Sequence, residues 1–264
     1  MPRFRLTIEY AGTRYSGWQI QKNAKTIQGE IDRAVRTVTK RNDFELYGSG
    51  RTDAGVHALA QVAHLDVVTS LPSDTLVRRL NDELPADINI LAAAPVPHRF
   101  HARHDAVARR YVYQIARRRT AFAKPFVWWV KDDLDVARMR EAAAAFVGFK
   151  DFEAFAESDG DERRERSTHV LVDRVDIVEQ DGLVLVAIEG SHFLWKMVRR
   201  IVGVLVEIGR GELDPNAAAS LLESSSGEAA RLTAPASGLF LERVYYQGDA
   251  RGGVIEPATP IRRR

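Results

Sequence analysis

YGSGRTDAGVHA, residues 47–58, interrupts the chain between two apolar runs with three glycines, an arginine, an aspartate and a histidine. Glycine lets a backbone turn tightly and lets a ligand come close to it, so the stretch predicts a loop that presents Arg51, Asp53 and His57. After it, AQVAHLDVV (60–68) reads as a strand. Before it, RFRLTIEY (3–10) alternates as a strand, and TIQGEIDRAVRTVTK (26–40) sets Ile27, Ile31, Ala34, Val35 and Val38 on one helical stripe behind an N-cap at Thr26. The loop thus sits among strands and helices in alternation.

The remaining chain continues the pattern. SDTLVRRLNDELP (73–85) predicts a short helix capped by Ser73 and ended before Pro85, followed by strands at INILAAAPV (88–96) and AVARRYVYQIA (106–116). A second cycle opens with a helix in DLDVARMREAAAAFVG (133–148). It proceeds through two strands joined at Asp181-Gly182, a long helix in FLWKMVRRIVGVLVEIG (193–209), a small helix near Pro215 and a last strand GLFLERVYY (238–246). Hairpins and helices without a strict strand-helix-strand rhythm favour an α+β fold over one parallel wound sheet. The expected architecture is two domains, 1–108 and 109–264, each a mostly antiparallel sheet flanked by helices, packed around a central basic cleft. Segment 157–167, ESDGDERRERS, has no apolar residue and is expected to be a surface loop.

Composition narrows the class. With 45% hydrophobic and 28% charged residues among 264, the chain is globular, and no apolar run approaches the ~18 residues of a membrane helix. The first residues lack the features of a secretory signal, so a cytoplasmic protein is expected. The absence of cysteine excludes disulfides, thiolate metal sites and cysteine nucleophiles. A net charge of +2 hides a local excess, because residues 99–119 hold seven arginines against one acid, Asp105. Arginines interleaved with Phe100, Tyr111 and Tyr113 suit either a solvated strand face or a surface that meets phosphates and stacks on bases.

Several chemistries fail on spacing. GSGRTD carries Asp53 where a dinucleotide fingerprint has its third glycine, and there is no Walker loop, so no nucleotide cofactor is expected. His98, His101 and His104 would not face one way on a strand, and no carboxylate completes a set, so no metal is expected. Neither Ser16 nor Ser49 lies in a nucleophile elbow. A lone carboxylate is left. Asp53 can be the bonded residue of a tight turn over Thr52–Gly55, or it can be a reactive group. A cationic neighbour would hold it below the usual carboxylate range, ionised and fit for attack on a sugar or an electron-poor ring. A glycosidase needs a second carboxylate as acid, which is not evident; a leaving group such as uracil, a tolerable anion, does not demand one.

GSGRTDAGVHA resembles the signature of the tRNA pseudouridine synthase A family, and the similarity extends over nearly the whole chain: YAGTRYSGWQIQ, LNDELPADI, FHARHDAVARRYVY, FLWKMVRRIVG and APASGLFLERVYY follow in that family's order. The resemblance implies two α+β domains, a homodimer, no cofactor, and isomerisation of uridine to pseudouridine in the tRNA anticodon arm, typically at positions 38, 39 and 40. It implies Asp53 as the catalytic aspartate acting on ring or sugar, Arg51 as the arginine that displaces the target nucleotide, Tyr111 as the ring stacked on the base, and Arg199 as the partner of the aspartate. Leu239 packs near the base in that scheme, and Gly50, Thr52, His57 and Arg110 are the expected substrate contacts around it. From the residues alone Tyr111 and Tyr113 stand equal, sharing one strand face. Ala11 and Ile20 depart from the YDGT and GWQRQ of many bacterial relatives.

Overall fold

The structure is a computed structural model and describes residues 1–157, 167–224 and 226–261. It is α+β, as expected, with antiparallel sheets flanked by helices. Two compact units divide the chain, the first comprising Met1–Val107 with Phe240–Arg251 and the second Ala108–Leu239 with Gly252–Arg264. The chain therefore returns to the first unit with its last strand, whereas the sequence reading ran the second domain through to the C terminus.

In the first unit the strand order is β4-β1-β3-β10, where β1 is Arg3–Tyr10, β3 His57–Asp66, β4 Ile88–Val96 and β10 Leu239–Tyr246. β1 pairs antiparallel with both β3 and β4. The other edge of β3 is shared: β2 (Glu45–Gly48) runs antiparallel along residues 63–66, and β10 runs parallel beside His57 and Ala58. Alternation along β1 buries Phe4, Leu6, Ile8 and Tyr10. Beside the sheet, α2 (Ser73–Glu83) packs on β4, and α1 (Ile27–Thr39), capped by the Thr26 hydroxyl accepting from Gly29 N–H, packs on α2. Ser73 is the first helical residue of α2 rather than its cap. Pro72 takes that place, since its fixed φ suits a helix start and no side-chain cap bond is formed.

In the second unit the order is β5-β9-β8-β7, all antiparallel: β5 is Ala106–Ala116, β7 Gly148–Asp151, β8 His169–Gln180 and β9 Leu183–Gly190, with the short β6 (Trp128–Trp129) parallel to β5. Every residue of β9 is buried, which explains its unbroken apolar run. Asp181 and Gly182 both take positive φ in the β8–β9 turn. The predicted 133–148 helix is only Val136–Ala143 (α3), capped by Asp135, and its alanine run tightens into a 3-10 turn. The long helix begins at Met197, not Phe193, because Lys196 is left-handed; α4 spans Met197–Gly209. Two short helices, α5 (Ala217–Leu222) and α6 (Glu228–Arg231), follow. Of the expected loop 157–167, residues 158–166 lie outside the described residues. No described helix is long and apolar enough to cross a membrane.

Candidate active site

The aspartate loop, residues 49–56, leaves β2 at Gly48, opposite Ala63, enters β3 at His57 and lies along a neighbouring segment. That segment is 12–18. Trp18 N–H donates to Thr52 O at 3.0 Å, Gly55 N–H donates to Tyr15 O at 3.3 Å, and Gly12 N–H donates to His57 Nδ1 at 3.0 Å. A β-carbon on Gly12 would collide with Val56 O, and one on Gly17, whose φ is +92°, would lie 2.5 Å from Thr52 O. Both glycines are required for this approach of two backbones. The predicted tight turn exists one residue later, Val56 N–H donating to Asp53 O at 3.2 Å. Asp53 is half-buried and Arg51 exposed. Thr52 is buried with its hydroxyl 2.9 Å from that of Tyr10, and His57 is buried with its ring stacked on Phe240 at 4.7 Å, so both sit beneath the loop. Gly50 O accepts from Gln61 Nε2 at 3.1 Å.

In the second unit a different construction holds Arg199 and Tyr111. Segment 232–239 crosses α4 so closely that a β-carbon on Gly203 would overlap Leu232 O. Ala234 N–H donates to Arg199 O at 3.0 Å, and Arg199 Nε donates back to Ala234 O at 2.7 Å, which orients the guanidinium. The same segment covers Tyr113, whose hydroxyl donates to Pro235 O at 2.7 Å and whose ring would lie 2.5 Å from a β-carbon on Gly238. Burial pushes the Tyr113 phenol far above its ordinary range, opposed by the positive charge of Arg199. Tyr111, two residues away on the same strand face, is half-buried with its ring edge-on to Phe193 at 5.2 Å. The two tyrosines are thus separated by their cover. Leu239 is buried where the segment enters β10, and Arg110 is buried with Nη2 donating to Gly253 O at 3.4 Å.

The family model for tRNA pseudouridine synthase matches residues 6–105 and 142–247. The chain belongs to the tRNA pseudouridine synthase family. Membership makes it an isomerase that acts on tRNA. It is 39% identical to "tRNA pseudouridine synthase A 2" of Clostridium tetani over 92% of this chain and 98% of that one. Proteins called "tRNA pseudouridine synthase A" from Acetivibrio thermocellus and Rhodopseudomonas palustris are each 40% identical, over 93% and 94% of this chain and the whole of theirs. A chain of the solved "Crystal Structure of a Cbf5-Nop10-Gar1 Complex" shares 12% identity at a TM-score of 0.32, over 77% of this chain and 45% of that one. The family match contains Asp53, Arg199 and Leu239, whereas Arg110 and Tyr111 fall between its two stretches.

Three features of this pseudouridine synthase were not visible in sequence. Arg200, beside Arg199 on α4, is the more deeply buried arginine. It donates to Ala156 O at 2.6 Å and to Glu157 at 2.7 Å, and Lys196 donates to the other oxygen of Glu157 at 2.7 Å. Hydrogen bonds from Lys196 first, then the charges of Lys196 and Arg200, hold the Glu157 carboxyl below its usual range. The histidines near 101 are not on a strand. His101 Nδ1 accepts from the backbone N–H of Arg103 at 3.1 Å and of His104 at 3.2 Å, while His64 Nδ1 accepts from Ala102 N–H at 3.2 Å. The basic run, finally, is not one surface: Arg109 donates to Ser191 O at 2.8 Å, Arg117 pairs with Glu179 at 2.7 Å, and Arg119 lies over the Trp129 ring at 5.8 Å. The signal that could have flagged Arg200 is the doubled arginine itself. Neighbours on a helix point about 100° apart, so two charges on an apolar helix need two partners.

Proposed function

We propose that this chain converts uridine to pseudouridine in the tRNA anticodon stem-loop, at positions 38, 39 and 40, as a cytoplasmic homodimer without a cofactor. The observation that carries the reading is the Asp53 loop, a carboxylate on a backbone fixed by segment 12–18, inside the stretch shared with the family. Asp53 acts as the nucleophile on a flipped-out base, toward ring or sugar. Arg199, aimed by Ala234 O, is its cationic partner. The reaction breaks the bond from C1′ to N1, turns the uracil, joins C1′ to C5, releases the C5 proton and leaves N1 protonated.

Energetics give Tyr111 and Arg51 their parts. Unstacking a paired base costs a few kcal/mol, and one aromatic stack returns only ~1–3 kcal/mol, so a stack on Tyr111 needs a second side chain in the vacated space. Arg51, exposed and two residues from Asp53, supplies it. Gly50 admits the nucleotide to the backbone, Thr52 and His57 hold the loop from below, and Leu239 and Arg110 are further substrate contacts.

The test is tRNA carrying tritium at uridine C5. The proposed isomerase frees tritium into water while the base stays on the RNA. Labelled uracil in solution would mean a glycosidase, and no release with intact binding would mean a tRNA-binding module; either overturns the reading.

A further inference from the structure

Beside the aspartate loop, wholly within the first unit, a cavity of about 40 Å³ is lined by Trp18, Gln19, Tyr47, Gly50, Arg51 and Arg103, among others. A water needs roughly 10–15 Å³ of such space, so this one holds about three water-sized groups. That is room for a phosphate group. The charged residues of its lining are of one sign, since Arg51 and Arg103 both line it with the neutral polar Gln19, Gln28 and Tyr47 and, among the described residues, no carboxylate does.

Each wall has a reason to stay in place. A β-carbon on Gly48 would lie 2.6 Å from the Trp18 ring, so glycine at 48 is what lets the indole lie against β2; a β-carbon on Gly50 would meet nothing within 4 Å, in open space. Tyr47, 36% exposed, has its ring stacked on His64 at 5.8 Å and edge-on to His101 at 4.9 Å. Arg103 stands on a turn that the two histidine Nδ1 atoms fix from one side. Tyr246 reinforces it by donating its hydroxyl to Ala102 O at 2.7 Å, and Asp105 by accepting from His101 N–H at 2.9 Å. An arginine on a fixed turn loses little further freedom when it meets an anion.

We propose that this cavity binds one phosphodiester of the RNA backbone, one or two nucleotides from the isomerised uridine, between Arg51 and Arg103 with Tyr47 at the rim. The proposal rests on the uridine isomerase reading and extends it. Arg51 is two positions from Asp53, a backbone span of at most about 7 Å, so a nucleotide at Asp53 brings only its near neighbours within reach. Arg51 cannot test the idea, because it also serves the flipped base. Arg103 can.

The experiment measures affinity for an anticodon stem-loop RNA in which single phosphates near the target uridine are replaced by neutral methylphosphonates. With the wild-type protein one position weakens binding roughly tenfold, as loss of a charged hydrogen bond does. Arg103→Ala weakens binding to the unmodified RNA by a similar factor and lowers the slope of log affinity against log salt by about one. In that variant the sensitive methylphosphonate costs clearly less than in the wild type, because only Arg51 still faces that phosphate, and Arg103→Lys restores most of the loss. Independent, additive losses would overturn the proposal, as would uniform indifference to every methylphosphonate or wild-type binding by Arg103→Ala. Should the alanine variant not fold, Arg103→Gln gives the same readings with the stem kept. Binding is read apart from chemistry, so failure here is distinct from failure of tritium release.

Discussion

The two units hold their candidate functional residues by different means. Around Asp53 backbone meets backbone at Thr52 O, Tyr15 O and the unsubstituted α-carbons of Gly12 and Gly17, with His57, Gln61 and the Thr52–Tyr10 hydroxyl pair bracing the loop. Around Arg199 side chains position the site, with the arginine reaching Ala234 O and its neighbour Arg200 clamping Ala156 and Glu157. A backbone construction is rigid and intolerant of any added atom. A side-chain construction tolerates substitution by degrees. The difference suits the roles proposed for the two groups, because a nucleophile must be held to a fraction of an ångström, whereas a counter-charge acts over a longer range.

The sharpest break in that contrast is Gly12→Ala. Its methyl group meets Val56 O with a backbone on either side and nothing to give way, so a loss of about 3 kcal/mol or more is expected, with Tm lower by roughly 6–12 °C and activity lost alongside. A Tm within 2 °C of wild type would mean the loop is not fixed as described. On the other side, Arg200→Met removes the buried half of the clamp and leaves Lys196 to hold Glu157 alone. Glu157 is partly solvated, which limits the cost to about 2 kcal/mol. Thermal melts should show Arg200→Lys recovering part of it; equal losses for Met and Lys would indicate a packing effect instead of a clamp.

The third effect is smaller and depends on pH. Burial, then the charges of Arg3 and His101, hold His64 down at about 4, with Asp66 acting in the opposite sense and His98 adding to the depression. An unfolded chain takes up this proton near pH 6.5 and the folded one only near 4, so the unfolded state binds more protons between these values. Stability from His64 is complete above about pH 6.5 and is lost as pH falls toward 4, by about 1–2 kcal/mol once screening is allowed for. Urea melts at pH 7.5 and 5 read this directly. His64→Asn, which keeps an acceptor for Ala102 N–H and cannot titrate, should flatten the fall, and an unchanged slope would assign it to other groups.

Much of this was legible in sequence, and what was not has a common cause. Strands and helices long enough to show a period, such as β1, β8, β9 and α1, read directly from their apolar spacing. β2, β6 and β7, of two to four residues, are too short for alternation to register. The resemblance to the synthase family is borne out by the family match over most of the chain. The glycines of the loop announced themselves because they are neighbours in sequence. Gly12 and Gly17 did not, since their partners are Val56 and Thr52. Arg200 hid for the same reason, with Glu157 forty-three positions away. Tyr111 and Tyr113 differ only through segment 235–238, a cover that strand parity cannot reveal.

The most direct test of the account concerns Asp53 itself. Asp53→Asn keeps the size of the side chain and its place on the loop while removing the charge, so the variant should bind anticodon-arm RNA as the wild type does and release no tritium from C5-labelled uridine above the enzyme-free background. Turnover near the wild-type rate would contradict the assignment of the nucleophile, and so would a variant whose loss of activity is explained by loss of RNA binding.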